Sequence, residues 1–534
     1  MGHQAVDSDA HSLLTVTDRL NSRVLGQVTL TGPGQAGEVI DACAKVQPLW
    51  SLLRVSDRAR YMRRVAQAII DEFDDLLEAL ASEQVRSRSE IATLELLPAI
   101  DALIWIAEAG AQELEHRRVG IHRSMFLTKR ARITYEPLGV VAVIGAGSAP
   151  FAQPIGQIAG ALLAGNGVVF KPAKRACLAG ERVLGVFGRA GLPEGLVRLI
   201  HGGPELGVAL AAAPVDKVLF TGSATVGRAV ARACVSQNRE VLVEAGGKDA
   251  MLVLSDAHIQ KAAAAAVWAG FAAAGQARGS IERVYVLDEV ADGFLETLVR
   301  AVGTLRVGDP RGEQNQIGPL ASTRRLRHVH ELILEAVDQG ARVLCGAEEI
   351  TPRGETKALF YAPTVITDVT HQMRLMREPV DGPVLAVMAV ESIPEAIALA
   401  NDCEFRLGAS VWSADRYQAL RIARQLRTGM VWLNDHLPGP MMAQGPWGAS
   451  VGGGLGHTLG RAGLRACAQP KLITWDPPGA SGQWWGLNDQ RLTHLARTVA
   501  ELRSARDAHR EHAWRHGALS VARVGMRALR QARN

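Results

Sequence analysis

Between Glu136 and Lys171 the chain carries no charged side chain at all. A bilayer span needs only about 20 apolar residues, so hydropathy alone would allow one here. Punctuation argues otherwise. Gly145, Gly147, Pro150, Pro154, Gly165, Asn166 and Gly167 cut the run into a strand at 140–144, a loop, a helix at 153–163 and a strand at 168–171. A charge-free strand–helix–strand unit must be covered on both faces, which commits this part of the chain to a buried parallel sheet.

The same rhythm continues on either side. Residues 35–115 read as helices, with Met62, Val65, Ile69, Phe73 and Leu76 at three- and four-residue spacing. Strands are expected at 140–144, 168–171, 197–200, 217–220 and 241–244, then in a second series at 250–254, 283–287, 362–366, 384–390 and 430–433. The fold class is therefore α/β, with two doubly wound parallel-sheet domains. A chain of 534 residues exceeds what one core serves, and 48% apolar residues suffice for more than one. Segments 130–136 and 471–476 alternate like strands outside both series.

The six cysteines, Cys43, Cys177, Cys234, Cys345, Cys403 and Cys467, show no C-x-x-C spacing, which argues against a zinc site or a disulfide framework. They read as small buried hydrophobes or inert surface thiols. Residues 1–14 lack the basic region and apolar run of a secretory signal, so a cytoplasmic location is expected. After Pro477 the composition shifts, and residues 491–534 hold ten arginines against Glu501, Asp507 and Glu511. Leu492, Leu495, Val499 and Leu502 fall at helical spacing, as do Leu519, Ala522, Met526 and Leu529. This is a basic amphipathic helical tail. It suits packing on its own protein, an acidic partner or an anionic membrane surface, with Trp484, Trp485 and Trp514 as the few aromatic anchors.

Several short motifs follow one another in order. They are Tyr135-Glu136-Pro137-Leu138-Gly139-Val140-Val141, Lys171-Pro172-Ala173, Gly191-Leu192-Pro193-Glu194-Gly195, Phe220-Thr221-Gly222-Ser223, Glu244-Ala245-Gly246-Gly247-Lys248-Asp249, Gly275-Gln276-Ala277-Arg278-Gly279-Ser280, Gly382-Pro383-Val384, and Asn434 followed by Pro446-Trp447-Gly448. Across residues 35–475 the chain resembles the NAD(P)-dependent aldehyde dehydrogenase superfamily. The resemblance implies an N-terminal extension (1–34), a dinucleotide-binding domain (35–244) with an oligomerisation hairpin at 120–136, and a catalytic-type domain (245–445). A return segment with an oligomerisation strand (446–476) and the tail (477–534) complete it.

On the cofactor side, Gly222, Ser223 and Gly227 turn out of a strand into a helix whose N-terminal dipole favours phosphate. By resemblance this element lies against the dinucleotide. Lys171 matches the family's lysine on the adenosine ribose. Lys174 stands where many NAD-linked members have a glutamate, and an ammonium would pair with a 2′-phosphate. NADP is therefore expected ahead of NAD, and a chain that takes no dinucleotide is the other reading.

The chemistry departs from the family at three places. Arg278 occupies the position of the nucleophilic cysteine, and a guanidinium has no lone pair with which to attack a carbonyl. Ser148 stands for the oxyanion asparagine and Gly147 for the tryptophan before it. Pro379 replaces the glutamate that clamps the nicotinamide ribose, and Asp381 the phenylalanine beside the ring, with Glu378 one residue from the clamp position. Glu244, the family's water-activating glutamate, is kept. Arg278 needs a partner, for which Glu244, Asp381 and an anionic ligand are the candidates; the alternative is an arginine turned out to solvent.

The expected function is accordingly that of a degenerate family member acting as a ligand-binding or scaffolding homologue. The alternative is an NAD(P)-dependent oxidoreductase that oxidises an aldehyde by a non-standard route, Ser280 being the nearest hydroxyl. A homo-oligomer is expected, with an active paralogue or an anionic membrane surface as further partners through the tail. Peripheral membrane attachment is the variant of the cytoplasmic reading. No nucleic-acid motif is present in the core.

Overall fold

The computed structural model describes residues 12–121, 126, 128–351, 358–437, 439, 441–450, 453–478, 489–517, 519, 521–522 and 526. The chain divides into two compact units, residues 1–113 with 137–468 and residues 114–136 with 469–534.

The larger unit holds two large sheets and two two-stranded ones. In the first, the strands run Gly454–Leu455, Glu240–Glu244, Lys217–Thr221, Val140–Ile144, Gly167–Lys171 and Val197–Leu199, parallel except for the first. Chain order reverses between Val140–Ile144 and Lys217–Thr221, and in doubly wound sheets ligands bind outside the carboxyl ends of strands at such a switch point. The loops that leave these two strands carry Gly147-Ser148 and Gly222-Ser223. The uncharged helix Ala152–Leu163 is buried along its whole length. Its first amides are capped from outside by Glu95, whose Oε2 accepts from Phe151 N at 3.1 Å and Ala152 N at 3.0 Å. A carboxylate there meets the positive end of the helix dipole, and Arg86 balances it at 2.9 Å.

The second sheet runs Arg342–Cys345, Thr364–Thr367, Val384–Val390, Ile281–Leu287, Asp249–Val253, Gly408–Trp412 and Met430–Leu433. Only the edge strand Arg342–Cys345 is antiparallel. The strands Asp249–Val253 and Ile281–Leu287 are buried throughout, as continuous apolar runs in doubly covered sheets require. All ten strands expected in the two series are present, most of them shifted by one or two residues at an end. Gly408–Trp412, the edge strand Arg342–Cys345 and an N-terminal hairpin of Leu13–Thr17 with Val24–Thr29 are additional.

The smaller unit contains a three-stranded sheet in the order Ala468–Trp475, Arg130–Pro137, Arg117–Arg118. It also contains the helices Gln490–Leu502 and Asp507–His516. Leu495 and Val499, two of the residues that make the tail amphipathic, are buried, as is Ala513 of the second helix, while Trp514, Leu519 and Met526 are exposed. Trp484, Trp485 and Leu529 lie outside the described residues. Among the described residues, no helix is long and apolar enough to cross a membrane.

Candidate active site

Glu244 ends the strand Glu240–Glu244, and Arg278 lies three residues before the strand Ile281–Leu287. The two meet. Arg278 Nη2 donates to the carbonyl of Ala245 at 2.7 Å and stands 3.8 Å from Glu244 Oε2, with side-chain exposures of 5% and 1%. Of the partners considered for Arg278, the fold supplies Glu244, and the side chain is not turned out to solvent. Thr221 Oγ1 donates to Glu244 Oε2 at 3.4 Å, and Thr458 Oγ1 donates to Oε1. Both carboxylate oxygens are thus occupied.

Burial pushes the Glu244 carboxyl upward, opposed by the Arg278 charge and the two threonine hydroxyls. The same burial pulls Arg278 downward, opposed by Glu244 and then by Asp381 and Asp249. For each group the charge of the other is the largest effect opposing desolvation. The guanidinium offers no lone pair for attack on a carbonyl, and Glu244 is buried with both oxygens accepting from threonine hydroxyls. Ser280 does not fill the gap, since its hydroxyl donates to Ala277 O at 2.9 Å within its own loop.

The cysteines are committed elsewhere in the fold. Cys403 Sγ donates to Phe405 O at 3.3 Å and Cys467 Sγ to Gly463 O at 3.5 Å. Cys43 bonds Leu196 O at 3.3 Å, Cys177 bonds Lys174 O at 3.1 Å, Cys234 bonds Ala211 O at 3.9 Å and Cys345 bonds Pro363 O at 4.0 Å. Burial raises the Cys43, Cys177 and Cys467 thiols to about 11, far from the thiolate that attacks carbonyls.

The loop bearing Arg278 is locked to the segment 379–383. Gly275 takes a φ of 71°, and a Cβ there would collide with the Gly382 carbonyl, so only glycine allows the approach. Glu282, paired with Lys248 Nζ at 2.8 Å, accepts from Val380 N at 2.9 Å and Asp381 N at 3.3 Å. Pro379 gives its carbonyl to His328 Nε2 at 3.0 Å and has no polar side-chain group of its own. Asp381 is ion-paired with Arg325 at 2.9 Å. Glu378, the residue nearest the clamp position, is held by Arg374 at 2.8 and 3.0 Å.

Two further titratable groups, neither anticipated from the sequence, sit beside this loop. His436 Nε2 lies 2.8 Å from Gly279 O and 3.9 Å from Asp249 Oδ2. Burial pushes Asp249 up to about 7 and His436 down to about 4. Asp249 was visible in the glycine-rich motif that follows Glu244. Thr221 likewise falls in a named motif, whereas Thr458 and His436 carried no local signal, because they reach the site only through the fold.

The remaining expected residues sort into two groups. Ser223 caps the helix Ala224–Val235 by accepting from Val226 N at 3.4 Å, and Gly222 N donates to Glu244 O at 3.1 Å, which joins this turn to the Glu244 strand end. Gly227 is buried against Val243 and Phe220. Lys171 is buried, with Pro172 O at 3.3 Å as the bond of its ammonium, and desolvation lowers its pKa. Lys174 and Ser148 line a cavity of about 370 Å³ together with Arg175, Arg325 and Gln276 of the loop that carries Arg278. Neither Glu244 nor Arg278 lines that cavity.

These residues fit one half of a nicotinamide dinucleotide. A buried lysine with one hydrogen bond on its ammonium and a helix N-terminus that Ser223 caps at a single amide suit ribose and phosphate. Pro379 has no polar side-chain group to offer a ribose hydroxyl, and Asp381 is engaged by Arg325. Among the described residues no group of three or more His, Cys, Asp or Glu is placed to hold a metal.

The sequence matches the aldehyde dehydrogenase family over residues 5–473. It is 33% identical over 475 residues to a 4,4′-diapolycopene aldehyde oxidase of a Methylomonas species, covering 87% of this chain and 88% of that one. The fold is similar to the NAD-dependent aldehyde dehydrogenase of Sinorhizobium meliloti, with a TM-score of 0.83 and 29% identity over 90% of this chain and 95% of that one. An NADP-dependent enzyme of E. coli gives a TM-score of 0.82 and 29% identity over 87% and 95%. With its two parallel sheets, its Glu244 strand end and this extent of similarity, the chain belongs to the aldehyde dehydrogenase family.

Proposed function

We propose that this protein is a family member without conventional dehydrogenase chemistry, acting as a ligand-binding or scaffolding homologue. The observation that carries the reading is the buried Arg278–Glu244 pair, with Arg278 at the position that the resemblance gives to the nucleophile. Ser148 at the oxyanion position and Pro379 at the clamp point the same way, because one lost oxyanion donor costs roughly a hundred- to a thousandfold in rate. A dinucleotide, if held, is NADP ahead of NAD, on the strength of Lys174. The name of the Methylomonas relative supplies a first aldehyde to try as ligand, 4,4′-diapolycopene aldehyde.

Assembly follows from the smaller unit. Ala468–Trp475 is an edge strand with Leu472 and Trp475 exposed, which favours pairing with a second copy. The arginines of the tail, with exposed Trp514, suit an anionic membrane surface or an active paralogue.

A second reading, a working NAD(P)-dependent aldehyde oxidoreductase by a non-standard route, draws on the 33% identity to an aldehyde oxidase. Graded restoration separates the two. Arg278→Cys with Ser148→Asn is expected to stay near baseline for aldehyde-dependent NAD(P)H formation, and activity is expected to emerge when Pro379→Glu is added. Full activity in the unmodified protein, or none in the triple variant with its fold intact, would count against the proposal.

A further inference from the structure

The cavity that contains Ser148 is lined by five cations, Arg19, Arg86, Lys174, Arg175 and Arg325, against two carboxylates, Glu83 and Glu90. Most of these charges are already engaged. Glu83 accepts from Leu178 N at 2.9 Å and Ala179 N at 2.8 Å, and Glu90 accepts from Ala273 N at 2.5 Å. Arg86 is bound to Glu95 at 2.9 Å, and Arg325 to Asp381 at 2.9 Å and Gln276 Oε1 at 3.0 Å. Arg19 donates to the carbonyls of Gln84 and Leu320. The side chains of Arg175 and Lys174 have no hydrogen bond or ion pair among the described residues.

Arg175 lies beside the loop that follows the strand Val140–Ile144. Its stem lies against Gly147, where even a Cβ would collide with Arg175 Nε and Cγ. With glycine at 147, where the resemblance puts a tryptophan, the Arg175 side chain takes up that space. Arg175 and Lys174 are both exposed, so their charges face solvent as well as the cavity, and Arg325 lines the same cavity. The apolar part of the lining includes Leu14 and Val16 of the N-terminal hairpin and Val85.

We propose that this cavity binds an organic anion, its carboxylate or phosphate head on Arg175 and Lys174 and its apolar body against Leu14, Val16 and Val85. The volume, about 370 Å³, sits at the small end of ligand pockets, whose usual range is roughly 300 to 1,000 Å³. Forked donors on a planar guanidinium match either oxyanion. The proposal rests on the reading above that Pro379 and Asp381 no longer hold a nicotinamide ribose, which leaves this side of the cleft to another ligand.

The test is calorimetric titration of the whole protein with octanoate, octyl phosphate, inorganic phosphate, NAD and NADP. Octanoate or octyl phosphate is expected to bind more tightly than inorganic phosphate, and to weaken by roughly tenfold or more in Arg175→Leu, the scale of one charge-assisted bond. Binding of only one of the two names the head group. Arg175→Lys should retain part of the affinity. Should Arg175→Leu not fold, Ser148→Asp keeps the arginine and sets a negative charge in the cavity, with the same loss expected. No binding by either amphiphile, affinity no better than that of inorganic phosphate, or affinity indifferent to these substitutions would overturn the proposal. Aldehyde turnover by the unmodified protein would instead overturn the functional reading, while anion binding remained measurable by heat.

Discussion

The Arg278 guanidinium lies 3.8 Å from the Glu244 carboxylate, in a region from which solvent is nearly excluded. Removing one member strands the other. Arg278→Ala should cost about 3 to 5 kcal/mol of stability, the usual penalty for an uncompensated buried charge. Pairing Arg278→Met with Glu244→Gln should recover much of it. Denaturant unfolding of the two single variants and the double variant measures the coupling. Additive losses would show that the pair does not act as a unit.

Asp249 sets a pH dependence of its own. Its folded pKa, about 7, lies above the ordinary aspartate value of about 4, so the folded state holds the proton more tightly than the unfolded state. The stability this contributes is full below pH of about 4 and is lost as pH rises through about 7. Asp249→Asn abolishes the titration. Its stability relative to the unmodified protein should therefore rise by about 1 to 4 kcal/mol between pH 4 and pH 8. Melting curves across that range check it, and a pH-independent difference would contradict it.

Asp18 follows the first strand of the N-terminal hairpin and is buried against Arg311 at 2.6 Å, with Leu20 N donating to its other oxygen at 2.8 Å. Arg311 is also paired with Asp309 at 2.7 Å, and these bonds hold its pKa above the ordinary arginine value. Arg311→Ala removes the cation and leaves Asp18 buried. Hydrogen exchange at the amides of the hairpin that pairs Leu13–Thr17 with Val24–Thr29 should quicken by roughly tenfold or more, as local opening becomes easier. Unchanged exchange would mean that the hairpin is fixed by its strand pairing alone.

The two sheets were legible because their strands are continuous apolar runs separated by glycine and proline, as in 140–144 and 168–171. Gly408–Trp412 escaped notice, since Gly408, Ala409 and Ser410 are small and carry little strand signal. The Arg278–Glu244 pairing was readable as one candidate among several, because both residues fall in recognisable motifs. What closes it was not readable. Thr458 reaches Glu244 across 214 residues of chain, a separation at which no local periodicity helps. Arg175 was passed over beside Lys174 for a related reason. Its role shows only when Gly147, 28 positions earlier, is seen to lie against it.

The most direct test is NAD- or NADP-coupled oxidation by the unmodified protein across short, long and aromatic aldehydes, run beside Arg278→Ala. The account predicts no aldehyde-dependent NAD(P)H in either. Sustained turnover by the unmodified protein that survives Arg278→Ala would contradict it, because some other group would then be attacking the carbonyl.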